Sequence, residues 1–211
     1  MTTVRKLRAE TGREALHKIL VAAEQEFAER GFDGASMKAL SLRANVSQSL
    51  LHYHFGSKDR LYASVIHNRS ELINSERLSL LGEVDPTVPD GLAQLFYALF
   101  APALGPSGGG HAYARIFAGL IAGNSRDQAL VRECYDDTAK TFIAALQECL
   151  PGISATEASQ VYLCALGTLA TSLARDGRAA RLAEESDANN EELMTTLIRF
   201  AMGGAKAIQN G

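Results

Sequence analysis

The twenty residues SMKALSLRANVSQSLLHYHF, Ser36 to Phe55, decide the fold of this chain. Ser36 caps a helix over 37–44 and Ser47 caps a second from Gln48 to about His54, because a serine hydroxyl accepts an orphan backbone N–H in the first turn. Only Asn45 and Val46 separate the two. Asn45 falls where the chain must pass through a left-handed conformation, which asparagine tolerates better than most residues other than glycine. Two helices this short need anchors, and Leu40, Leu42, Val46, Leu50 or Leu51, and Phe55 supply them. What is left on the second helix, Gln48, Ser49, His52, Tyr53 and His54, is polar or aromatic. The pattern is a helix-turn-helix, whose second helix presents its N-terminal residues and dipole to the major groove of DNA.

Charge agrees with this only once the chain is divided. Its 211 residues hold 21 Lys and Arg against 24 Asp and Glu, a net charge of -3 that taken whole speaks against a nucleic-acid partner. Residues 1–70 hold eleven of the basic residues and seven of the acidic ones, so that part is +4 and the remainder -7. Arg5, Lys6 and Arg8 form a basic arm that either follows the DNA or is a solvated tail. No apolar run reaches the roughly 18 residues of a membrane span, and no secretory signal opens the chain, so a soluble, cytoplasmic protein with no membrane partner is expected. Cys134, Cys149 and Cys164 are spaced too widely for close-paired zinc ligands and too few for a disulfide framework. They read as reduced, buried helix residues.

Apolar residues recur at helical spacing almost throughout, and no stretch alternates as a strand would, so the fold class is all-α with about nine helices. The first helix, about 13 to 30, carries Leu16, Ile19, Leu20, Ala23 and Phe27, starts at a Thr11/Glu14 capping box and stops at Gly31. Further boxes, Ser125 with Gln128, Ser154 with Glu157, and Asn189 with Glu192, mark three more helix starts. A long helix begins near Lys58, capped by Ser57, and extends to about Leu80. The polar segment from Asp176 to Asn190 reads as a loop.

Enzyme readings fail on particulars. Gly105 and Gly110 have phosphate-loop spacing, but His111 and Ala112 replace the Lys and Ser/Thr that would hold phosphate and magnesium. There is no G-x-S-x-G elbow and no H-E-x-x-H helix. His52 and His54 are two apart and diverge on a helix, and Asp136 pairs with Lys140 at i+4 rather than forming a carboxylate dyad. No metal or cofactor is expected.

The segments AAEQEFAERGF (22–32), ASM (35–37) and ANVSQSLLHYHFGSKDRL (44–61), in that order and spacing, resemble the DNA-binding domain of the tetracycline-repressor (TetR) family of bacterial transcription regulators, over roughly Arg13 to Ile73. The resemblance implies a DNA-binding domain over 1–73, with its motif at 36–55, and a helical regulatory, ligand-binding and dimerisation domain over 74–211. It implies that Ser36 and Ser47 face phosphates, that Gln48 and Ser49 approach base edges, and that Tyr53 and His54 reach backbone or bases. Lys58 would bind phosphate at the next helix N-terminus, and Lys38, Arg43 and His52 complete the candidate set. Leu50 stands where the family usually has Thr, and His52 where it usually has Tyr. Leu50 therefore either meets a thymine methyl or joins the core, and core is preferred.

For the second domain the resemblance implies a dimer and an effector pocket. The helix from about Ala155 to Arg175 carries Val161, Ala165, Leu169 and Leu173, and the last, about Glu191 to Ile208, carries Met194, Leu197, Ile198, Ala201, Met202 and Ala205. Gly167, Gly203 and Gly204 permit close approach, so two such helices from each chain would form a four-helix interface. Burial of the same faces within one chain is the alternative that spacing leaves open. Phe96, Phe100, Tyr113, Phe117, Tyr135, Phe142 and Tyr162 are the pocket candidates, against the competing reading that such a stripe is core. His111 is either a gate or a surface residue. The effector would be apolar or aromatic, because no concentrated set of basic residues awaits an anion. The function this implies is a homodimeric repressor that binds a palindromic double-stranded operator and releases it on binding a small molecule. The alternatives are an activator or architectural factor without effector, and a helical small-molecule-binding protein that no longer binds DNA.

Overall fold

The computed structural model describes residues 2–121, 123, 125–173, 177–184, 186 and 188–210, with side chains from Glu14 onward. Among them are ten α-helices and no strand: α1 (Thr2–Gly34), α2 (Met37–Arg43), α3 (Gln48–Phe55), α4 (Lys58–Leu81), α5 (Gly91–Leu104), α6 (Gly110–Ile121), α7 (Ser125–Cys149), α8 (Ala155–Leu173), α9 (Arg178–Ala183) and α10 (Asn190–Gln209). A 3₁₀ turn at Pro106–Gly108 joins α5 to α6. The chain divides into two compact units, Met1–Asn68 and Arg69–Gly211, with the division inside α4.

Several boundaries differ from the sequence expectation. α1 begins well before Arg13, so Thr11 is inside a helix rather than at its cap. Gly31 does break it, at φ 67, ψ 174, a conformation that costs any residue with a Cβ. The tenth helix is α9, six residues within the segment read as a loop, bracketed by left-handed Gly177 and Glu184. Ser125 is the first residue of α7 rather than its cap. The other two boxes form: Ser154 N–H donates to Glu157 at 2.8 Å while Glu157 N–H donates back at 3.2 Å, and Asn189 and Glu192 do the same at 3.0 Å each way.

In the first unit α1 buries Ile19, Ala22, Ala23 and Phe27, α2 buries Leu40, α3 buries Leu51 and Phe55, and the start of α4 contributes Leu61, Tyr62, Val65 and Ile66. Phe27 and Tyr62 meet edge to face with centroids 5.0 Å apart. Leu42, expected in this core, is 72% exposed. Helix α2 is two turns long, and burying Leu40 and Ser41 turns Leu42 outward.

In the second unit α5 is the central helix. Leu95, Phe96, Leu99 and Phe100 have no exposed surface, and α5 packs against α7 and α10. Phe142 on α7 and Leu169 on α8 are equally buried. The chain enters α5 through a tight contact at Gly91, where an added Cβ would stand 2.4 Å from the Asp85 carbonyl oxygen. Gly91→Ala is therefore expected to destabilise the protein by about 1–3 kcal/mol, the usual cost of forcing backbone apart in a packed region. A thermal or urea melt of the variant, indistinguishable from that of the parent, would refute this.

Candidate nucleic-acid interface and internal cavity

Helix α3 is held by its two buried residues, Leu51 and Phe55, one turn apart. Apart from half-buried Leu50, every position between and before them then faces out: Gln48, Ser49, His52, Tyr53 and His54 are all exposed, and Tyr53 is 83% so. The geometry of the turn follows the sequence expectation. Asn45 adopts φ 53, Ser36 Oγ accepts the Ala39 N–H at 3.1 Å, and Ser47 Oγ accepts the Leu50 N–H at 3.1 Å. Each serine, as acceptor, keeps its own O–H as a donor. Leu50 is half-buried, between the two readings weighed for it. His52 turns back on its own helix: Nδ1 lies 3.0 Å from the Gly56 carbonyl oxygen and donates to it in the tautomer protonated there.

Two cations of the candidate set are committed elsewhere. Arg43 was expected to face DNA, but its guanidinium Nε lies 3.1 Å from Glu26, and both its Nη atoms bond the carboxylate of Glu29. The hydrogen bonds to Glu29 hold its pKa above the usual value, against the opposing effect of burial. Its two carboxylate partners on α1 thus tie α2 to α1 through Arg43. Lys58 Nζ donates to the carbonyls of Phe32 at 2.8 Å and Ala35 at 3.0 Å and stands 4.4 Å over the Phe32 ring. Two of its three N–H donors thus tie the end of α1, which leaves one for a phosphate. Lys38 is exposed.

The second unit holds a cavity of about 420 Å³ between α6, α7 and α8. Three of the seven pocket candidates, Phe117, Tyr135 and Tyr162, line it. Phe96, Phe100 and Phe142 do not, since all three are fully buried in the core, where helical aromatic spacing most often places a ring. Tyr113 is held behind the wall by a hydrogen bond between its hydroxyl and that of Tyr135. Polar groups that sequence reading missed complete the lining: Gln128, Asp136, Lys140 and Ser159. Lys140 pairs with Asp137 at 3.2 Å rather than with Asp136, which leaves Asp136 half-buried on the cavity wall. His111 lies exposed at the start of α6.

Arg77 was also missed. It sits on the buried stripe of α4 and is 1% exposed. Its Nε donates to the Leu99 carbonyl at 2.9 Å, and among the described residues no carboxylate faces it. Desolvation by burial pushes its pKa down, with the hydroxyls of Tyr162, Tyr135 and Tyr113 opposing the shift. An arginine stays charged even so. Burying an ion opposite no counter-charge costs several kcal/mol. Burial likewise drives Tyr135 far above its ordinary pKa, so its hydroxyl remains a neutral donor and acceptor.

The helices expected to form a dimer use most of the named residues internally. Val161, Ala165, Leu169, Leu197, Ala201 and Ala205 are buried in the chain's own core, and Leu173, Met194, Ile198 and Met202 are half-buried against it. Leu163 on α8 and Phe200 on α10 are 64% and 67% exposed and Gly203 and Gly204 open onto free space, while Leu163 and Gly167 also line the cavity between α6, α7 and α8. Cys164 is exposed as well, contrary to the buried reading of the cysteines.

Among the described residues no cluster of three or more His, Cys, Asp or Glu side chains could hold a metal, and no helix is long and apolar enough to cross a membrane. Residues 19–65 match the family described as bacterial regulatory proteins, tetR family, and residues 94–204 match the tetracyclin repressor-like C-terminal domain. A transcriptional activator named FasR from Mycolicibacterium smegmatis is 35% identical over 69 residues, 32% of each chain. A transcriptional repressor named NicS from Pseudomonas putida is 33% identical over 81 residues, 38% of each. The alignments thus cover little more than a third of those relatives. Over nearly the whole chain the fold matches a TetR-like regulator from a Rhodococcus species, with TM-score 0.64, 20% identity and coverage of 91% and 96% of the two chains. It also matches the fatty acid degradation regulator FadR of Bacillus halodurans, with TM-score 0.65, 16% identity and coverage of 93% and 95%.

Proposed function

The chain belongs to the TetR family of bacterial transcription regulators, which are not enzymes, and from that premise we propose that it is a homodimeric repressor of a palindromic operator, released by a small, largely apolar effector. The observation that carries this is the exposed face of α3, polar and aromatic over Gln48, Ser49, Tyr53 and His54 and fixed from behind by Leu51 and Phe55. Such a face has no use inside a folded chain and has the size of a recognition helix. Ser36, Ser47, Lys38 and the third donor of Lys58 serve phosphates, which position the protein, while Gln48 and Ser49 read base edges.

Members of the family are typically dimeric, and a dimer gives α3 its second half-site about 34–36 Å away along the groove. The surface for it is the outward side of α8 and α10, with Leu163, Gly167, Phe200 and Gly203, rather than the inward stripe. Effector in the α6–α8 cavity favours a conformation with different DNA affinity, and it shifts the equilibrium only by its differential affinity for the two states. Helix α4 is the chain-continuous element between the units.

A mobility-shift titration against the DNA upstream of the protein's own gene tests the proposal. A sequence-specific shift that weakens steeply with salt supports it, and the absence of any such shift overturns it. Gln48→Ala is expected to relax preference at one base pair of each half-site, by about 1–3 kcal/mol of lost discrimination. A panel of single-substitution operators measures this, and an equal loss on all of them would contradict a base-reading role. One relative is named an activator, and the same interface serves activation if the operator lies where bound protein recruits polymerase. Transcript levels in a deletion strain separate the two signs.

A further inference from the structure

We propose that the effector is an apolar molecule bearing a carboxylate, and that Arg77 is the group that binds the carboxylate. The inference rests on the effector reading of the α6–α8 cavity and names the chemistry that cavity selects. Arg77 lines a void of about 10 Å³, room for about one water. Phe117 and Tyr135 line both this void and the large cavity, so these two rings are the only shared wall that the lining residues name. Tyr162 lines the cavity and acts electrostatically on the same guanidinium. Joining the two spaces takes a turn of the Tyr135 side chain, which breaks its hydroxyl link to Tyr113. A carboxylate arriving there meets the Arg77 fork and the Tyr135 and Tyr113 hydroxyls, each freed by that turn to donate its one O–H.

The remainder of the cavity fits an apolar body, being walled by Leu120, Val131, Ile143 and Leu166 together with the aromatic rings. Asp136 is the one acidic group of that wall and opposes an anion near itself. It is half-buried and keeps contact with water, whereas Arg77 is 1% exposed and has no carboxylate partner among the described residues. Lys140, a cation of that wall, is paired with Asp137 at 3.2 Å, so the carboxylate belongs at the Arg77 end. The lack of a basic cluster in the sequence does not exclude an anionic group, because a single buried arginine suffices in a site closed to water.

The test uses the full-length protein and matched probes: decanoate with 1-decanol, and 4-phenylbutyrate with 4-phenylbutanol, titrated by calorimetry. Each acid is expected to bind at least about tenfold more tightly than its alcohol, as a charge-assisted bond to a buried cation requires. The pair with the larger absolute affinity tells an aliphatic from an aromatic body. Arg77→Met should abolish the preference for acid while alcohol affinity holds, and Arg77→Lys should restore part of it. Because the substitution removes an unpaired buried charge, Arg77→Met should melt no lower than the parent. Should it fail to fold, Tyr135→Phe, which keeps the ring and removes the hydroxyl, must still reduce the acid preference. Alcohols binding as tightly as acids, or an acid preference that survives Arg77→Met, overturns the carboxylate assignment and leaves the effector reading standing. Failure of all four probes to bind overturns both.

Discussion

Tyr53→Ala is expected to lower operator affinity by about 30- to 150-fold without moving the melting temperature, from about 1–1.5 kcal/mol lost at each of two half-sites. The asymmetry between the two readouts is the point. Tyr53 is 83% exposed and makes its one described ring contact with its neighbour His54, centroids 5.2 Å apart, so its removal leaves the core of the first unit intact. Surface truncations of that kind stay within about 0.5 kcal/mol of the parent in stability. Leu51→Ala provides the contrast, since Leu51 has no exposed surface and its loss should cost about 2–5 kcal/mol of folding and take DNA binding with it. Fluorescence anisotropy with a labelled operator and a thermal melt measure both quantities on the same samples. Affinity within twofold of the parent would remove Tyr53 from the interface, and a loss accompanied by a lower melting point would make it a structural residue instead.

What could be read from the sequence was local. Serine caps, the left-handed Asn45 and the reciprocal boxes at Ser154 and Asn189 are contacts between residues within a few positions of one another, and they form as the spacing demands. What could not be read depends on partners far along the chain. Arg43 counts as a cation in any charge sum, but Glu29, fourteen residues away, neutralises it. Lys58 is tied by carbonyls 26 and 23 residues back. The aromatic candidates were seven residues at helical spacing, and only the packing of α6, α7 and α8 separates Phe117, Tyr135 and Tyr162 at a cavity from Phe96, Phe100 and Phe142 in the core.

Two signals were present and not used. Ile66, Ile73 and Arg77 fall at i, i+7 and i+11 along α4, so a charge occupied a place on the apolar stripe of that helix. Periodicity also gave α8 and α10 stripes broad enough to serve two neighbours. The inward half of α10 packs on α5 and α8 and that of α8 on α6, α7 and α10, and Leu163 and Phe200 are exposed. An apolar residue outside a stripe that the chain's own core already fills is better evidence for a partner than the stripe is.

That distinction makes Phe200→Asp the substitution with the largest expected effect, one that turns the proposed dimer into monomers at micromolar concentration. A two-fold interface uses the same patch twice, so one substitution removes two buried phenyl rings and introduces two carboxylates. Each ring is worth about 1.5–3 kcal/mol of apolar burial, and each unpaired carboxylate costs several kcal/mol more unless the interface opens to water. The sum exceeds what separates a nanomolar from a micromolar dimer, about 4 kcal/mol. Operator affinity should fall with it, because a monomer engages a single half-site and loses the gain from the second. The monomer itself should remain folded, since Phe200 is 67% exposed and is not among the residues packed on the core. Leu197→Asp, one turn earlier on α10 and 3% exposed, should by contrast unfold the second unit. Sedimentation velocity and circular dichroism separate these outcomes. A Phe200→Asp protein that stays dimeric and binds the operator as the parent does would place the interface elsewhere, and an unfolded one would show that Phe200 supports the protomer.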